Sequence, residues 1–457
     1  MIKSTTNNYY DASEVFPYLP LTTLYLRLYD EWCAAGVPVS SYTAKPSAIL
    51  FPTNFSKAKR VMTASKILPI TEVIMKPGSW SLLLANLVLC TTLFLGCSGK
   101  SGTQSIKIAA AGPMTGELAK MGEDVSQGVQ LAVDQWNAKG GVNGKKIELM
   151  IEDDRADPKD AVSVASKIVS QGAVAVIGHY NSSCTIPASN LYHEAGIVMI
   201  TPASTNPMVT ERGYREVFRT CGRDDQQGKV QADYAAQVLQ TAKVAILHDK
   251  TTYGQGLSEE FKKNLPPTVQ VVIEEGITRG DKDFSAVLTK VKESAPDLLM
   301  FGGMYSEGGL LVKQMKDLGL TCRFISGDGV FDPEFIRIAG DAAEAAYLSY
   351  APSAESIPTA QQFLKAYTAR WPEVGPYSVF GYDAANIILA AIDATKSTEG
   401  FKVADFIHHT KFDAATGPVM FDAKGDPTSS PYVMWRVIGG KLTPPEAPVK
   451  AVHVETH

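Results

Sequence analysis

This 457-residue chain has no apolar run long enough to cross a bilayer: Leu82–Leu95 is nearly all apolar, but a spanning helix needs about 20 such residues. Cysteine is scarce. The six (Cys33, Cys90, Cys97, Cys184, Cys221, Cys322) include no CxxC pair, which excludes a disulfide scaffold and a zinc ribbon. Positive charge is not in excess either, with 43 Lys+Arg against 48 Asp+Glu and a net charge of -5. Residues 97–457 hold 35 basic and 43 acidic side chains. An acidic surface argues against nucleic acid as a partner. No GxGxxG opens the first strand–helix unit and no GxSxG elbow occurs anywhere, so neither a nicotinamide or flavin enzyme nor an α/β-hydrolase is expected.

What is present is an ordinary globular composition, 45% hydrophobic and 20% charged, with length enough for two or three domains. From Ile106 short apolar strands alternate with amphipathic helices. Strands are expected at Ile106–Ala110, Lys146–Asp153, Phe218–Thr220, Val244–His248, Val269–Glu274, Leu298–Phe301, Phe324–Ser326, Ala346–Tyr350 and Tyr432–Ile438. Helices are expected at Asp124–Lys139, Gly256–Asn264, Asp283–Glu293, Gly308–Leu318, Thr359–Trp371 and Val379–Ser397. Asp157-Pro158 and Asp332-Pro333 read as N-caps followed by proline at the first helical position. Two such series imply two lobes, each a parallel, doubly wound α/β sheet. Ligands of these sheets sit beyond the carboxyl ends of the strands, which between two lobes becomes a cleft.

Two strand-to-helix corners stand out, Val174–Ser189 and Gly196–Thr205. Each apolar strand breaks into a turn rich in hydroxyls just before a helix. Helix starts offer unpaired N–H groups and a positive dipole end, so adjacent corners form a receptor for an anion such as a carboxylate. Ser182, Ser183, Thr201, Ser204 and Thr205 could each be a plain cap; their company favours binding. In the second series Tyr253 and Asp328 stand at strand ends, Asp328 between Gly327 and Gly329. A turn aspartate is the alternative for the latter.

Other motifs read as structure. Gly140–Lys146 follows a helix rather than a strand, which makes it a turn and not a phosphate loop. His408 and His409 are adjacent and point different ways on a helix, so they do not chelate one ion. Glu152, Asp153, Asp154 and Asp157 lack the alternation of a calcium loop. Neither Cys184 nor His179 has a convincing catalytic partner in sequence. No metal, no cofactor and no catalytic residue is expected.

The leader resembles a bacterial lipoprotein signal. Lys76 precedes the apolar stretch, and Leu93-Phe94-Leu95-Gly96-Cys97 follows, with a small residue ahead of the cut. Cys97 is then the expected lipidation site, tethered by residues 97–105, and a lipid there would hold the protein at a membrane surface. A plain secretory signal or an uncleaved anchor is the alternative. Residues 75–96 are read as the signal and Met75 as the start. Residues 1–74 are expected to lie outside the mature protein, the alternative being an extra domain.

From Ile106 to about Lys441 the chain resembles the branched-chain amino acid-binding proteins of the leucine–isoleucine–valine type, type I periplasmic solute-binding proteins of ABC transporters. The strings that carry the resemblance are NAKGG (Asn137–Gly141), VIGH (Val176–His179), MITPA (Met199–Ala203), HDKxxYGxG (His248–Gly256), KDFS (Lys282–Ser285) and the GP and FDxxGD pieces of Gly417–Asp426. It implies two Rossmann-like lobes joined by three crossings, near Phe218–Gly222, Tyr347–Pro352 and Tyr432–Arg436. Lobe 1 would comprise residues 106–220 and 351–433, and lobe 2 residues 221–350 and 434–457.

The resemblance also implies a site. Ser182, the Ala203 backbone and Thr205 would hold an α-carboxylate, Asp328 the α-ammonium, and Tyr253 would close over the ligand. Tyr180, Asn181, Met121, Met304, Tyr305 and Tyr377 would complete the contacts. Three departures matter: Met121 and Met304 stand where the family has tyrosine, and Asp328 where it has glutamate. Methionines make an adaptable wall, so looser selectivity among aliphatic amino acids is expected. The implied function is capture of an amino acid, branched-chain or otherwise aliphatic, by a monomeric lipoprotein that delivers it to a permease. A sensor for amino acids, amides or urea is the alternative.

Overall fold

The computed structural model describes residues 105–445. The expectations for residues 1–74, the signal at 75–96 and lipidation of Cys97 lie outside the described residues.

The first sheet is built from β1 (Ile106–Gly112), β2 (Ile147–Asp153), β3 (Ala175–Gly178), β4 (Val198–Thr201) and β5 (Val217–Arg219), all parallel, in the order β2-β1-β3-β4-β5. Strands β3 and β4 are buried throughout, which is why they read as unbroken apolar runs. Helices α1 (Ala119–Ala138), α2 (Pro158–Ser170) and α3 (Ser182–Glu194) connect them. The expected cap of α2 is present: the Asp157 carboxylate accepts from Lys159 N and Asp160 N, with Pro158 at the first helical position.

After β5 the chain enters the second lobe through α4 (Asp224–Asp233). There follow β6 (Lys243–His248), α5 (Thr252–Asn264), β7 (Gln270–Gly276), α6 (Ser285–Ser294), β8 (Leu298–Gly302), α7 (Tyr305–Asp317), β9 (Arg323–Ser326), α8 (Pro333–Ala339) and β10 (Tyr347–Tyr350). The chain then returns to the first lobe. Helices α9 (Gln361–Thr368) and α10 (Ser378–Thr395) pack on α1, and α11 (Gly400–His408) on α10 and β4. A hairpin of β11 (Phe412–Ala414) and β12 (Gly417–Val419) precedes a third crossing. Antiparallel β13 (Val433–Ile438) and β14 (Lys441–Thr443) close the second sheet, in the order β14-β13-β10-β9-β8-β6-β7. Each sheet reverses its strand order next to its first strand, between β1 and β3 and between β6 and β8, and such reversals open a crevice at the strands' carboxyl ends.

Several elements differ from the sequence-based expectation. Helices α5 and α7 begin at Thr252 and Tyr305, one turn before the expected Gly256 and Gly308. Glycine weakens a helix, which hides these first turns in sequence. At Gly254 a Cβ would lie 2.4 Å from Gly302 O, so contact with β8 demands the glycine. The expected helix at Thr359–Trp371 is shorter, a 3₁₀ turn at Pro358–Ala360 leading into α9. The sequence pattern marks neither helix α4, nor the β11–β12 hairpin, nor β14.

Candidate functional site

The two corners after β3 and β4 are bound to one another. The His179 carbonyl accepts from Thr201 Oγ1 at 2.7 Å, Thr185 Oγ1 at 3.1 Å and Ser204 Oγ at 3.2 Å. Ser204 Oγ shares its single proton between that carbonyl and the nearer Tyr180 O, at 2.8 Å. Thr201 and Ser204, expected among the ligand donors, therefore spend their hydroxyls on the backbone, and Ser182 and Ala203 are left facing the cleft. Beneath them the buried His179 ring is held at both nitrogens, Nδ1 by Asp154 Oδ2 at 2.7 Å and Nε2 by Tyr192 Oη at 2.9 Å. His179 thus has the carboxylate partner that the sequence did not reveal, but no ring nitrogen is free to act as a base. Burial pushes the Cys184 thiol up, away from a nucleophilic thiolate.

The acidic run beside β2 is likewise consumed by structure. Asp153 accepts from Met114 N and Arg155 N, Asp154 holds His179, and Asp157 caps α2. His408 and His409 bind backbone carbonyls. Among the described residues, no cluster of His, Cys, Asp and Glu could hold a metal ion.

In the second lobe Tyr253, in the first turn of α5, donates to Asp328 Oδ1 at 2.9 Å and accepts from Gly329 N at 2.9 Å. The glycines flanking Asp328 leave room for this ring and for other close neighbours, Leu257 at Gly327 and the Gly303 carbonyl at Gly329. A Cβ at Gly327 would lie 2.6 Å from Tyr253 Oη, and one at Gly329 would lie 2.7 Å from Tyr253 Cε1. The other carboxylate oxygen accepts from Tyr377 Oη at 2.7 Å. Burial pushes the Asp328 carboxyl above its ordinary range, while the two phenol donors pull it back.

One small cavity, of about 10 Å³ with the lobes closed, is lined by Tyr180, Asn181, Ser182, Ala203, Tyr253, Met304, Asp328, Gly329 and Tyr377. Eight of these were expected site residues; Gly329 was not. Three expected residues do not line it. Met121 is fully buried and, unlike Met304, does not reach the lining. Tyr305 reaches across the cleft instead, its hydroxyl donating to Glu117 O at 2.6 Å. Thr205 is fully buried, and its hydroxyl lies beside the Asp224 carboxyl without a well-formed hydrogen bond. Asp224, also missed, is fully buried at the start of α4, and its N–H donates to Thr205 O at 2.9 Å. An acidic residue at a helix start reads as an ordinary cap, so no sequence signal marked it.

The lobes are closed upon one another. Besides Tyr377–Asp328 and Tyr305–Glu117, Asn206 Nδ2 donates to Thr252 O at 3.0 Å and Arg279 Nη1 to Ala156 O at 2.9 Å. Two larger grooves also occur, one around Trp136 and Phe412 and one around Trp435 and Pro444, the latter reaching Tyr350 at the end of β10 and Thr220 just after β5.

Residues 105–441 match the family described as periplasmic binding protein. The chain is 41% identical over 358 residues to a Leu/Ile/Val-binding protein homolog 2 of Brucella abortus, covering 78% of this chain and 96% of the relative. It is 39% identical over 326 residues to the leucine-, isoleucine-, valine-, threonine-, and alanine-binding protein of Pseudomonas aeruginosa, covering 70% and 87%. Among solved structures, the leucine binding protein LivK of Thermotoga maritima superposes with a TM-score of 0.70 at 30% identity, covering 74% of this chain and 97% of that one. The branched-chain amino acid transporter substrate binding protein LivJ of Streptococcus pneumoniae, in complex with isoleucine, gives 0.69 at 30%, covering 74% and 98%. The chain belongs to the periplasmic binding protein family, in its type I fold, a family that binds solutes rather than catalysing reactions.

Proposed function

We propose that this protein is the extracytoplasmic substrate-binding lipoprotein of an ABC transporter, capturing an amino acid, branched-chain or otherwise aliphatic, and delivering it to the permease. The observation that carries the reading is the division of polarity across one cavity: Ser182 at the start of α3 and Ala203 in the turn after β4, where only a 3₁₀ turn at Pro207–Val209 follows, are neutral donors on one lobe, and the buried Asp328 carboxylate stands on the other. That division suits a zwitterion with its carboxylate toward the first lobe and its ammonium toward the second. The names of the relatives in Brucella and Pseudomonas support the same class of ligand.

In this reading Ser182 Oγ and Ala203 N bind the α-carboxylate, and Thr205 backs them from beneath. Tyr253 orients Asp328 for the α-ammonium. Lobe 1 (106–220 and 351–433) and lobe 2 (221–350 and 434–457) close about the ligand by a hinge motion. The mature chain begins at a lipidated Cys97.

Titration calorimetry of the protein against the amino acids tests the ligand class. Binding of leucine, isoleucine, valine or alanine is expected, and no heat with any of them sinks the reading. For the anchor, Cys97→Ser should move the expressed protein from the membrane fraction to the soluble one; an unchanged distribution rejects lipidation there.

A further inference from the structure

We infer that the side-chain amide of Asn181 reads the ligand's side chain, favouring an amino acid that bears a hydroxyl over its all-carbon isostere. The inference rests on the amino-acid reading of the cleft. Asparagine is favoured at a helix N-cap because its amide oxygen accepts from an N–H of the first turn. Asn181 occupies the N-cap of the 13-residue α3 and makes no such bond. Only its backbone carbonyl engages the helix, accepting from Cys184 N and Thr185 N at 2.9 Å each. The residue is 6% exposed and lines the cavity. Its Oδ1 is shielded from solvent and has no hydrogen-bond partner. A buried amide left unpaired is costly, and here a residue suited to capping gives up its cap as well.

The ends of a zwitterion do not require this amide. The carboxylate is served by the α3 start, Ser182 and Ala203, and the ammonium by Asp328. What remains is the ligand's side chain. Besides Asn181, the lining side chains not otherwise engaged are Met304 and Tyr180, the latter packed edge-on to Tyr377 with ring centroids 5.0 Å apart and its own hydroxyl also buried without a partner. An amide oxygen that accepts and a phenol that donates, beside an apolar methionine, suit a short side chain with one hydroxyl and one methyl. Threonine has that form, and valine has the same shape without the hydroxyl. Sites that pair a ligand hydroxyl discriminate strongly against the analogue lacking it.

The test titrates threonine and valine into the full chain and its Asn181→Leu variant, with leucine, isoleucine and alanine in parallel. Wild type should bind threonine at least tenfold more tightly than valine. The variant, which keeps the side-chain shape, should reverse that order with no fall in melting temperature. Valine binding as tightly as threonine to wild type overturns the inference without need of any variant. An equal loss for both ligands in Asn181→Leu also overturns it, because the amide would then serve a group common to all amino acids. If none of the five binds wild type, the functional reading itself has failed.

Discussion

Tyr377 Oη donates to Asp328 Oδ2 at 2.7 Å, and the two residues belong to opposite lobes. Tyr377 is the N-cap of α10, whereas Asp328 follows β9. Tyr253 holds the other oxygen from within the second lobe. Opening the cleft removes one of the two donors, so the carboxylate is fully ordered only when the lobes close.

Tyr377→Phe keeps the ring against Tyr180 and Tyr350, at 5.0 and 5.8 Å between centroids, and deletes the donor. A hydrogen bond to a charged group contributes about 1.5–3 kcal/mol. Ligand affinity should therefore fall roughly 10- to 100-fold, and small-angle scattering of the ligand-free variant should show a larger radius of gyration. Unchanged affinity and dimensions would leave the bond without a role in closure.

Asp328→Asn removes the charge but little of the shape, and should weaken amino-acid binding by about 2–5 kcal/mol. Burial holds the wild-type carboxyl above its ordinary value, and only the ionised form pairs with an ammonium. Wild-type affinity should thus fall as pH is lowered through the raised carboxyl range. The variant should show a flat profile in calorimetry from pH 4 to 8, and parallel profiles would argue against the pairing.

Asp124 governs stability rather than affinity. Burial pushes its carboxyl up to about 7, although Tyr377 N donates to it. The folded state therefore binds this proton more tightly than the unfolded chain, and stability falls as pH rises from about 4 to 7, by up to about 4 kcal/mol for this group. Asp124→Asn keeps an acceptor for Tyr377 N and should flatten that decline in urea unfolding at pH 4.5 and 7.5. A variant with the wild-type slope would contradict the assignment.

Arg219 is fully buried. It pairs with Asp426 at 2.6 Å and donates to the carbonyls of Ser204 at 2.7 Å and Asn206 at 3.1 Å. Arg219→Met leaves Asp426 with Arg223 and Thr210, Asn206 O with Val209 N, and Ser204 O with only the weak thiol donor of Cys221. The loss should be about 3–5 kcal/mol in denaturant unfolding; a change below 1 kcal/mol would show that the remaining partners suffice.

The caps at Asp157-Pro158 and Asp332-Pro333 were legible in sequence because capping is local: each carboxylate accepts an N–H two residues on. The start of α5 was not. Gly254 and Gly256 lower helix propensity, and the contacts that require them come from Gly302 and Asn206 elsewhere in the chain. In the site, Ser182, Tyr253 and Asp328 were legible as polar residues at strand ends, while the roles of Thr201 and Ser204 were not. Nothing in their neighbourhood says that both hydroxyls would meet at the carbonyl of His179.

The sequence by itself determined the alternating α/β architecture, its two series and the corners where a ligand would sit, because periodicity and capping act over a few residues. Only the tertiary structure decided which hydroxyls face the cleft, that Met121 belongs to the core, and that Tyr377 closes on Asp328 from the opposite lobe. Those outcomes depend on partners far apart in the chain, as with Asp328 and Tyr377, 49 positions apart, and packing selects among them.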